Sequence, residues 1–104
     1  MKYHISNDSE DSSEVVVSLN GVFTYRDHGV FDNIINELQK MTKNGSLIFD
    51  LSRVEFIDSS IVGVFSLIGE KASDKNIAVY MRGANGEVRD IMCKVGFDRL
   101  FTFC

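Results

Sequence analysis

The residues best suited to chemistry form one short group, Asp58-Ser59-Ser60, set inside the otherwise apolar run FIDSSIVG at 56–63. An acid followed by two hydroxyls suits the start of a helix, where side-chain oxygens accept hydrogen bonds from amides that have no partner within the helix. A hydroxyl there is also a favourable phosphate acceptor, because the amides and the positive end of the helix dipole stabilise the added charge. The group therefore predicts either a helix cap alone or a cap combined with a phosphorylation switch.

Other reactive residues give weaker indications of function. The histidines are His4 and His28, but no serine lies in the nucleophile-elbow pattern of a serine hydrolase. Arg82, at the strand-to-helix turn RGANGE (82–87), could hold an anion with the help of helix amides, yet neither phosphate-binding glycine motif is present. A hydrolase that uses Ser59 and a histidine is therefore kept only as a third alternative.

The cysteines and acidic residues do not predict a metal site. Cys93 and Cys104 lack the spacing of a zinc site or of a disulfide framework, and we interpret them as reduced structural thiols. The acidic segment at 7–14 lacks the ligand spacing of a calcium loop. We therefore predict neither a metal nor a cofactor.

The composition is that of an ordinary globular protein. The chain has 104 residues, of which 44% are hydrophobic and 25% charged, so we predict a single domain over 1–104. A net charge of −4 argues against nucleic acid as a partner, since phosphate backbones require a basic face. No apolar run approaches the ~20 residues that span a bilayer, and the N-terminus lacks the apolar core of a signal peptide. We expect a cytoplasmic protein that does not bind a membrane.

Hydrophobic periodicity predicts alternating strands and helices on both sides of Asp58-Ser59-Ser60. Runs typical of strands lie at 2–6, 15–19, 22–25, 46–58 and 77–81, with a short strand or turn at 99–103. Helical stripes are formed by Phe31, Ile34, Ile35, Leu38 and Met41, by 61–72, and by Val88, Ile91, Met92 and Val95. The order is β-β-α-β-α-β-α, which implies a mixed sheet with crossover connections.

Turn and capping residues set the predicted boundaries of these elements. A polar segment at 7–14 predicts a hairpin-like loop, and Asn20-Gly21 predicts a turn between two short strands. Asp27 is the predicted cap of the first helix and Asn85 that of the third.

The segments that flank Asp58 resemble a known family. LIFDLSRVEFIDSSIVGVF (47–65), the strand IAVYM (77–81) and VRDIMCKVGFDRLF (88–101) together resemble the STAS domain of bacterial anti-sigma-factor antagonists, which is also found attached to sulphate transporters. The resemblance covers essentially the whole chain. It implies an α/β fold with a STAS-like mixed β-sheet of four to five strands and helices packed mainly on one side.

The resemblance also implies a function and its partners. In these antagonists the serine directly after the aspartate is phosphorylated by an anti-sigma factor that has serine kinase activity and a histidine-kinase-like ATPase fold. The unphosphorylated antagonist binds that partner and frees a sigma factor, and a PP2C-type phosphatase restores the binding form. By position the phosphoacceptor is Ser59, and the partner-binding residues are Asp58, Ser59, Ser60, Ile61 and Val62. The protein itself would not be an enzyme.

The alternative implied by the same resemblance is a STAS-type accessory subunit, bound constitutively to a transporter or its ATPase without a phosphorylation cycle. One residue departs from the family pattern, because Ile61 stands where the family has a glycine after the two hydroxyls. Its branched side chain either turns into the core or reshapes the docking surface and selects a different kinase.

Overall fold

Strands and helices alternate along the chain in the computed structural model, which describes residues 2–6 and 14–104. The predicted loop at 7–14 falls almost entirely outside the described residues. The strands are β1 (Tyr3–Ser6), β2 (Glu14–Phe23), β3 (Ser46–Ile57), β4 (Ala78–Arg82) and β5 (Thr102–Phe103). A 3-10 turn (Tyr25–Asp27) precedes the helices α1 (His28–Lys40), α2 (Ser59–Asp74), α3 (Gly86–Lys94) and α4 (Phe97–Leu100).

The five strands form one mixed sheet in the order β1-β2-β3-β4-β5. β1 runs antiparallel to β2, and the other three neighbouring pairs are parallel. Parallel neighbours require crossover connections, and the helices supply them. The predicted mixed sheet is therefore confirmed, with five strands.

Alternate residues of the central strands face the helices. In β3, Leu47, Phe49 and Leu51 are at most 1% exposed, and they share the core with residues from all four described helices. Those helical residues are Phe31, Ile34, Leu38, Ile61, Phe65, Ile68, Ala72, Val88, Met92 and Phe97. The opposite face carries a polar row of residues that are partners in register, His4, Ser18, Asp50 and Arg82. The helices thus pack on one side of the sheet, as predicted.

Asn20-Gly21 does not form the predicted turn, and this prediction is wrong. β2 continues through both residues, and its pairing with β3 shifts register between Ser18 and Asn20 and again between Gly21 and Val22. Gly21 has φ +95°, a conformation that is open to glycine without steric cost. The dipeptide therefore makes an irregularity within one long strand, as glycine often does in strand interiors.

Two predicted helix caps are right in position, but neither side chain makes a capping bond to its helix. Asp27 precedes α1 but makes no side-chain bond to it; its carboxylate accepts the Thr24 amide at 2.8 Å and the Lys2 ammonium at 2.9 Å. Asn85 precedes α3, yet its side-chain amide donates to the Gly83 carbonyl at 3.1 Å. Short polar side chains bond to turns as readily as to helix ends, so residue type alone did not separate the two roles.

The C-terminal segment packs closely on α2 at Gly69. A methyl group on this glycine would lie 2.9 Å from Leu100 Cδ2 and 3.1 Å from the Phe101 ring. Phe101 is 4% exposed, and its ring meets that of Phe97 edge to face with centroids 5.1 Å apart, so it has little room to move. Gly63, on the same helix, has open space around it.

Alanine substitutions at these two glycines should have opposite effects on stability. Gly63→Ala improves helix propensity in open space, so we expect the free energy of unfolding to rise by about 0.5–1 kcal/mol. Gly69→Ala brings the same propensity gain but overpacks the contact with Phe101, which typically costs roughly 1–3 kcal/mol, so we expect a net loss. Urea denaturation followed by circular dichroism measures both. Equal gains in the two variants would show that the Gly69 contact is not tight.

Candidate functional site

Asp58 caps the N-terminus of α2. Its backbone is extended, with φ −95° and ψ 178°, and its Oδ1 accepts the Ile61 amide at 3.1 Å. The same oxygen accepts the Ser60 hydroxyl at 2.6 Å. We predicted that one of Asp58, Ser59 and Ser60 caps this helix, and Asp58 is the residue whose side chain does so.

Asp58 also ties α2 to the end of β2. Its Oδ2 accepts the amide of Tyr25 at 3.0 Å, and Tyr25 begins the 3-10 turn that follows β2. The Asp58 amide donates to the Phe23 carbonyl at 3.2 Å. One residue thus joins the ends of two parallel strands to the start of a helix, which holds the loop in a single arrangement.

These hydrogen bonds favour the ionised form of Asp58. The Ser60 hydroxyl, and after it the Ile61 and Tyr25 amides, hold the pKa of Asp58 below its ordinary value of 3.8. At nearby Asp27, burial acts to raise the pKa, but the hydrogen bonds from Lys2 and Thr24 leave it below the ordinary value. Both carboxyls are therefore ionised at neutral pH. The charge of Asp27 is paired with the Lys2 ammonium at 2.9 Å, whereas Asp58 makes no ion pair within the described residues and leaves a negative charge beside the helix terminus.

Ser59 is the first residue of α2, and it is exposed. Its hydroxyl makes no hydrogen bond with any residue in 2–6 or 14–104, whereas the Ser60 hydroxyl is held by Asp58. Ser59 therefore presents an accessible oxygen at the positive end of a 16-residue helix.

Ile61, the residue that stands in place of the family glycine, turns into the core. Its side chain is 0% exposed, so the inward alternative applies and the side chain offers no surface to a partner. Its predicted part in partner binding would therefore be made by the backbone and not by the side chain. Its contribution to the site is the backbone amide that bonds to Asp58. Val62, which follows, is only partly buried.

An apolar groove of about 380 Å³ lies directly beside Ser59. It is formed by the end of β3, the first turn of α2 and the end of α3, and its lining residues are Phe56, Ile57, Asp58, Ser59, Val62, Ile91 and Val95. Phe56 is 41% exposed and Val95 50% exposed, high values for large apolar side chains. The groove thus holds three of the predicted partner-binding residues, Asp58, Ser59 and Val62.

The sequence reasoning missed the part of this groove that α3 contributes. Ile91 and Val95 fit the spacing of a buried helical stripe, but α3 ends at Lys94 and Gly96 turns the chain with φ +87°. Val95 therefore lies just beyond the helix and reaches the surface. Gly96 was the one indication of this in the sequence, because a glycine at this position ends a helix and the buried face of the helix ends with it.

The other reactive residues do not line the apolar groove beside Ser59. His28 is an exposed residue at the start of α1, and neither histidine lines the apolar groove. Arg82 lies on the polar face of the sheet, opposite the face that α3 covers. Cys93 and Cys104 are free thiols. The described residues contain no cluster of three His, Cys, Asp or Glu able to hold a metal, and none of their helices is long and apolar enough to cross a bilayer.

Replacing Asp58 with asparagine should lower stability at neutral pH but not in acid. The asparagine oxygen could still accept from Ile61 and Ser60, but the amide group would face the Tyr25 N–H, donor against donor. Folding lowers the pKa of Asp58, so its ionised carboxylate adds to the free energy of unfolding. This added stability is fully present above the pKa that Asp58 has in the unfolded chain, and it is lost as the pH falls through the lower pKa of the folded protein. For Asp58→Asn we therefore expect a thermal midpoint a few degrees below the parent at pH 7, and a gap that closes below about pH 4.

The matched control for this titration is Asp32→Asn. Asp32 is exposed on α1 and makes no hydrogen bond or ion pair within the described chain. Its substitution breaks no hydrogen bond within the described residues, so we expect a thermal midpoint close to that of the parent at pH 7. A gap for Asp58→Asn that stays constant from pH 7 to pH 3 would contradict the role assigned to the ionised carboxylate.

Comparisons with a family model, a related protein and solved structures agree with this architecture. The family model of the STAS domain matches residues 5–104. The STAS-domain containing protein PA14_20770 of Pseudomonas aeruginosa (strain UCBPP-PA14) is 25% identical over 93 residues, which make up 89% of this chain and 90% of that protein. A solved structure of a putative anti-sigma factor antagonist from Thermotoga maritima (tm1081) has a TM-score of 0.82 at 22% identity, covering 97% of this chain and 84% of the other.

The fold is also shared with SpoIIAA, an anti-sigma factor antagonist and Bacillus cell fate determinant solved in two forms. The unphosphorylated form has a TM-score of 0.76 at 15% identity, covering 98% of this chain and 86% of that one. The phosphorylated form has the same TM-score and identity, with 98% and 90% covered. With the family model matched over residues 5–104 and the five-stranded fold in place, this chain belongs to the STAS domain family.

Proposed function

We propose that this protein is an anti-sigma-factor antagonist whose binding to a kinase-type anti-sigma factor is switched by phosphorylation of Ser59. The observation that carries the proposal is the exposed hydroxyl of Ser59 at the start of α2, which bonds to none of the described residues, beside an Asp58 carboxylate that already accepts three hydrogen bonds. Unphosphorylated, the protein sequesters the anti-sigma factor and so changes transcription; phosphorylated, it releases it. It acts in the cytoplasm as a binding module without catalytic activity.

The geometry distinguishes the two hydroxyls. Ser60 donates to Asp58 at 2.6 Å, so transfer of a phosphate to Ser60 would first break a bond that stabilises the loop. Ser59 needs no such rearrangement, because its oxygen is exposed and has no hydrogen-bond partner among the described residues. A kinase that reaches this loop therefore meets Ser59 as the ready acceptor.

A phosphate on Ser59 would act through charge. It adds about −1.5 to −2 charges at pH 7, which the positive end of α2 tolerates, in a loop where Asp58 and Asp27 are already ionised. The two forms of SpoIIAA match this backbone with the same TM-score of 0.76, which supports a modification that leaves the fold unchanged. Release would then follow from repulsion and lost fit at the surface. A PP2C-type phosphatase would restore the binding form.

Comparison with solved structures adds support to a regulatory role. SpoIIAA and the Thermotoga maritima protein are both described as anti-sigma factor antagonists, the latter putatively, and each covers at least 97% of this chain in the alignment. The accessory-subunit alternative has no observation at the site that favours it. Affinity capture separates the two functions: an ATP-binding anti-sigma factor supports the proposal, and a transporter ATPase supports the alternative.

Phosphorylation should occur on Ser59 alone. We expect incubation with the cognate anti-sigma factor and ATP, followed by mass spectrometry, to place one phosphate on Ser59. Ser59→Ala should take up none. Ser60→Ala should still be phosphorylated, because its loss loosens Asp58 without removing the acceptor. Uptake at the parental rate by Ser59→Ala would rule out this assignment.

Binding of the anti-sigma factor should follow the charge at position 59. Ser59→Ala should bind constitutively, and Ser59→Glu should bind more weakly than the parent, although less weakly than the phosphorylated protein, since a carboxylate carries less charge than phosphate. Ser73→Glu is the control, because it adds the same charge to an exposed position near the other end of α2. Calorimetry gives the affinities. An equal loss with Ser73→Glu would mean that overall charge, and not the site, governs binding.

A further inference from the structure

Exposed apolar side chains gather around Ser59. Six large apolar residues of the described chain are exposed, and four of them lie on this side of the molecule. Val22 is the register partner of Phe56 across β2 and β3, Tyr25 bonds through its amide to Asp58, and Val95 shares the apolar groove with Phe56. Exposed apolar surface that is concentrated in this way marks an interaction site.

The apolar groove offers almost no polar partner to an occupant. Phe56, Ile57, Val62, Ile91 and Val95 make up its walls, with Asp58 and Ser59 at one end. The Asp58 oxygens already accept three hydrogen bonds from the loop, so the polar capacity left at this end is the Ser59 hydroxyl and what remains of the carboxylate. A polar side chain placed here would lose its water without finding partners, so the groove fits an apolar side chain.

The position of Ser59 identifies the occupant. Ser59 is both the proposed phosphoacceptor and part of the groove wall, so an enzyme that brings a phosphate donor to its hydroxyl comes into contact with the rim of the groove. We propose that the apolar groove anchors one or two apolar side chains of the anti-sigma factor that phosphorylates Ser59, and that the phosphate releases this partner by charging the rim of the groove. This inference rests on the proposed function.

The release follows from the hydration of phosphate. A phosphate dianion on Ser59 holds water strongly, and an apolar side chain seated in the groove would strip part of that water away. In the unphosphorylated protein the rim carries only a neutral hydroxyl, and seating the side chain buries apolar surface at little cost. The same contact thus favours binding in one state and opposes it in the other.

The test measures the affinity of the anti-sigma factor shown to phosphorylate Ser59, with ADP present so that no phosphate is transferred. The groove variants are Val95→Ser and Phe56→Ser, and the control is Leu67→Ser, since Leu67 is 42% exposed but lies outside the groove. We expect each groove variant to weaken binding about tenfold or more and the control by less than about twofold. Circular dichroism verifies that each variant is folded.

A double-mutant cycle tests the release step. Phosphorylation should weaken binding less in Val95→Ser than in the parent, because the anchor that the phosphate opposes is already lost. Equal weakening in both would overturn the release mechanism.

The outcomes separate this inference from the proposed function. Unchanged affinity in both groove variants, with Ser59 still phosphorylated, would overturn the anchor and leave the function standing. A dimer of the parent that Val95→Ser dissolves would also overturn it, because the occupant would then be a second copy of the chain. Failure of every kinase-type anti-sigma factor to phosphorylate Ser59 would instead remove the proposed function, and the anchor with it.

Discussion

The Asp58 carboxylate accepts hydrogen bonds from parts of the chain that are distant in sequence. It receives the Tyr25 amide from the turn after β2, and the Ile61 amide and Ser60 hydroxyl from the first turn of α2. These three bonds use most of the acceptor capacity of the carboxylate, and the hydroxyl of Ser59 is not among the donors. The loop is therefore held in place by one side chain while its neighbour stays exposed, and a modification of Ser59 can leave that framework intact.

A series of phenylalanine rings in the core connects the elements on which this loop is built. Each ring in this series meets the next one edge to face, with centroids 5.1–6.4 Å apart; the rings are those of Phe23, Phe31, Phe65, Phe97 and Phe101. They link β2, α1, α2 and the C-terminal segment, and such pairs add about 0.5–1.5 kcal/mol each beyond the area they bury. Ile61 joins the same core one turn before Phe65. The branched residue in place of the family glycine therefore fixes the start of α2 from the inside.

Local patterns made much of the fold predictable, and they failed where one signal has two meanings. The polar group inside FIDSSIVG predicted a helix start because capping chemistry is confined to a few neighbouring residues, and the family resemblance predicted the sheet. Asn20-Gly21 suits a turn or a bulge equally well, and only pairing with β3 decides between them. The apolar groove was missed because Phe56 and Val95 lie far apart in sequence and meet only through the crossover to α3. Contacts of that kind depend on the tertiary fold and leave no local pattern.

The lengths of the strands bear on how the molecules behave toward one another. Within the described residues the outer strands are the shortest, with four residues in β1 and two in β5, while the 10-residue β2 and the 12-residue β3 have neighbours on both sides. An outer strand exposes unpaired amides and carbonyls to other sheets, and a short one limits the pairing that can start there. The short outer strands therefore limit edge-to-edge pairing between the sheets of two molecules. That limit would suit the proposed function, in which the amount of anti-sigma factor bound would depend on the number of dispersed molecules.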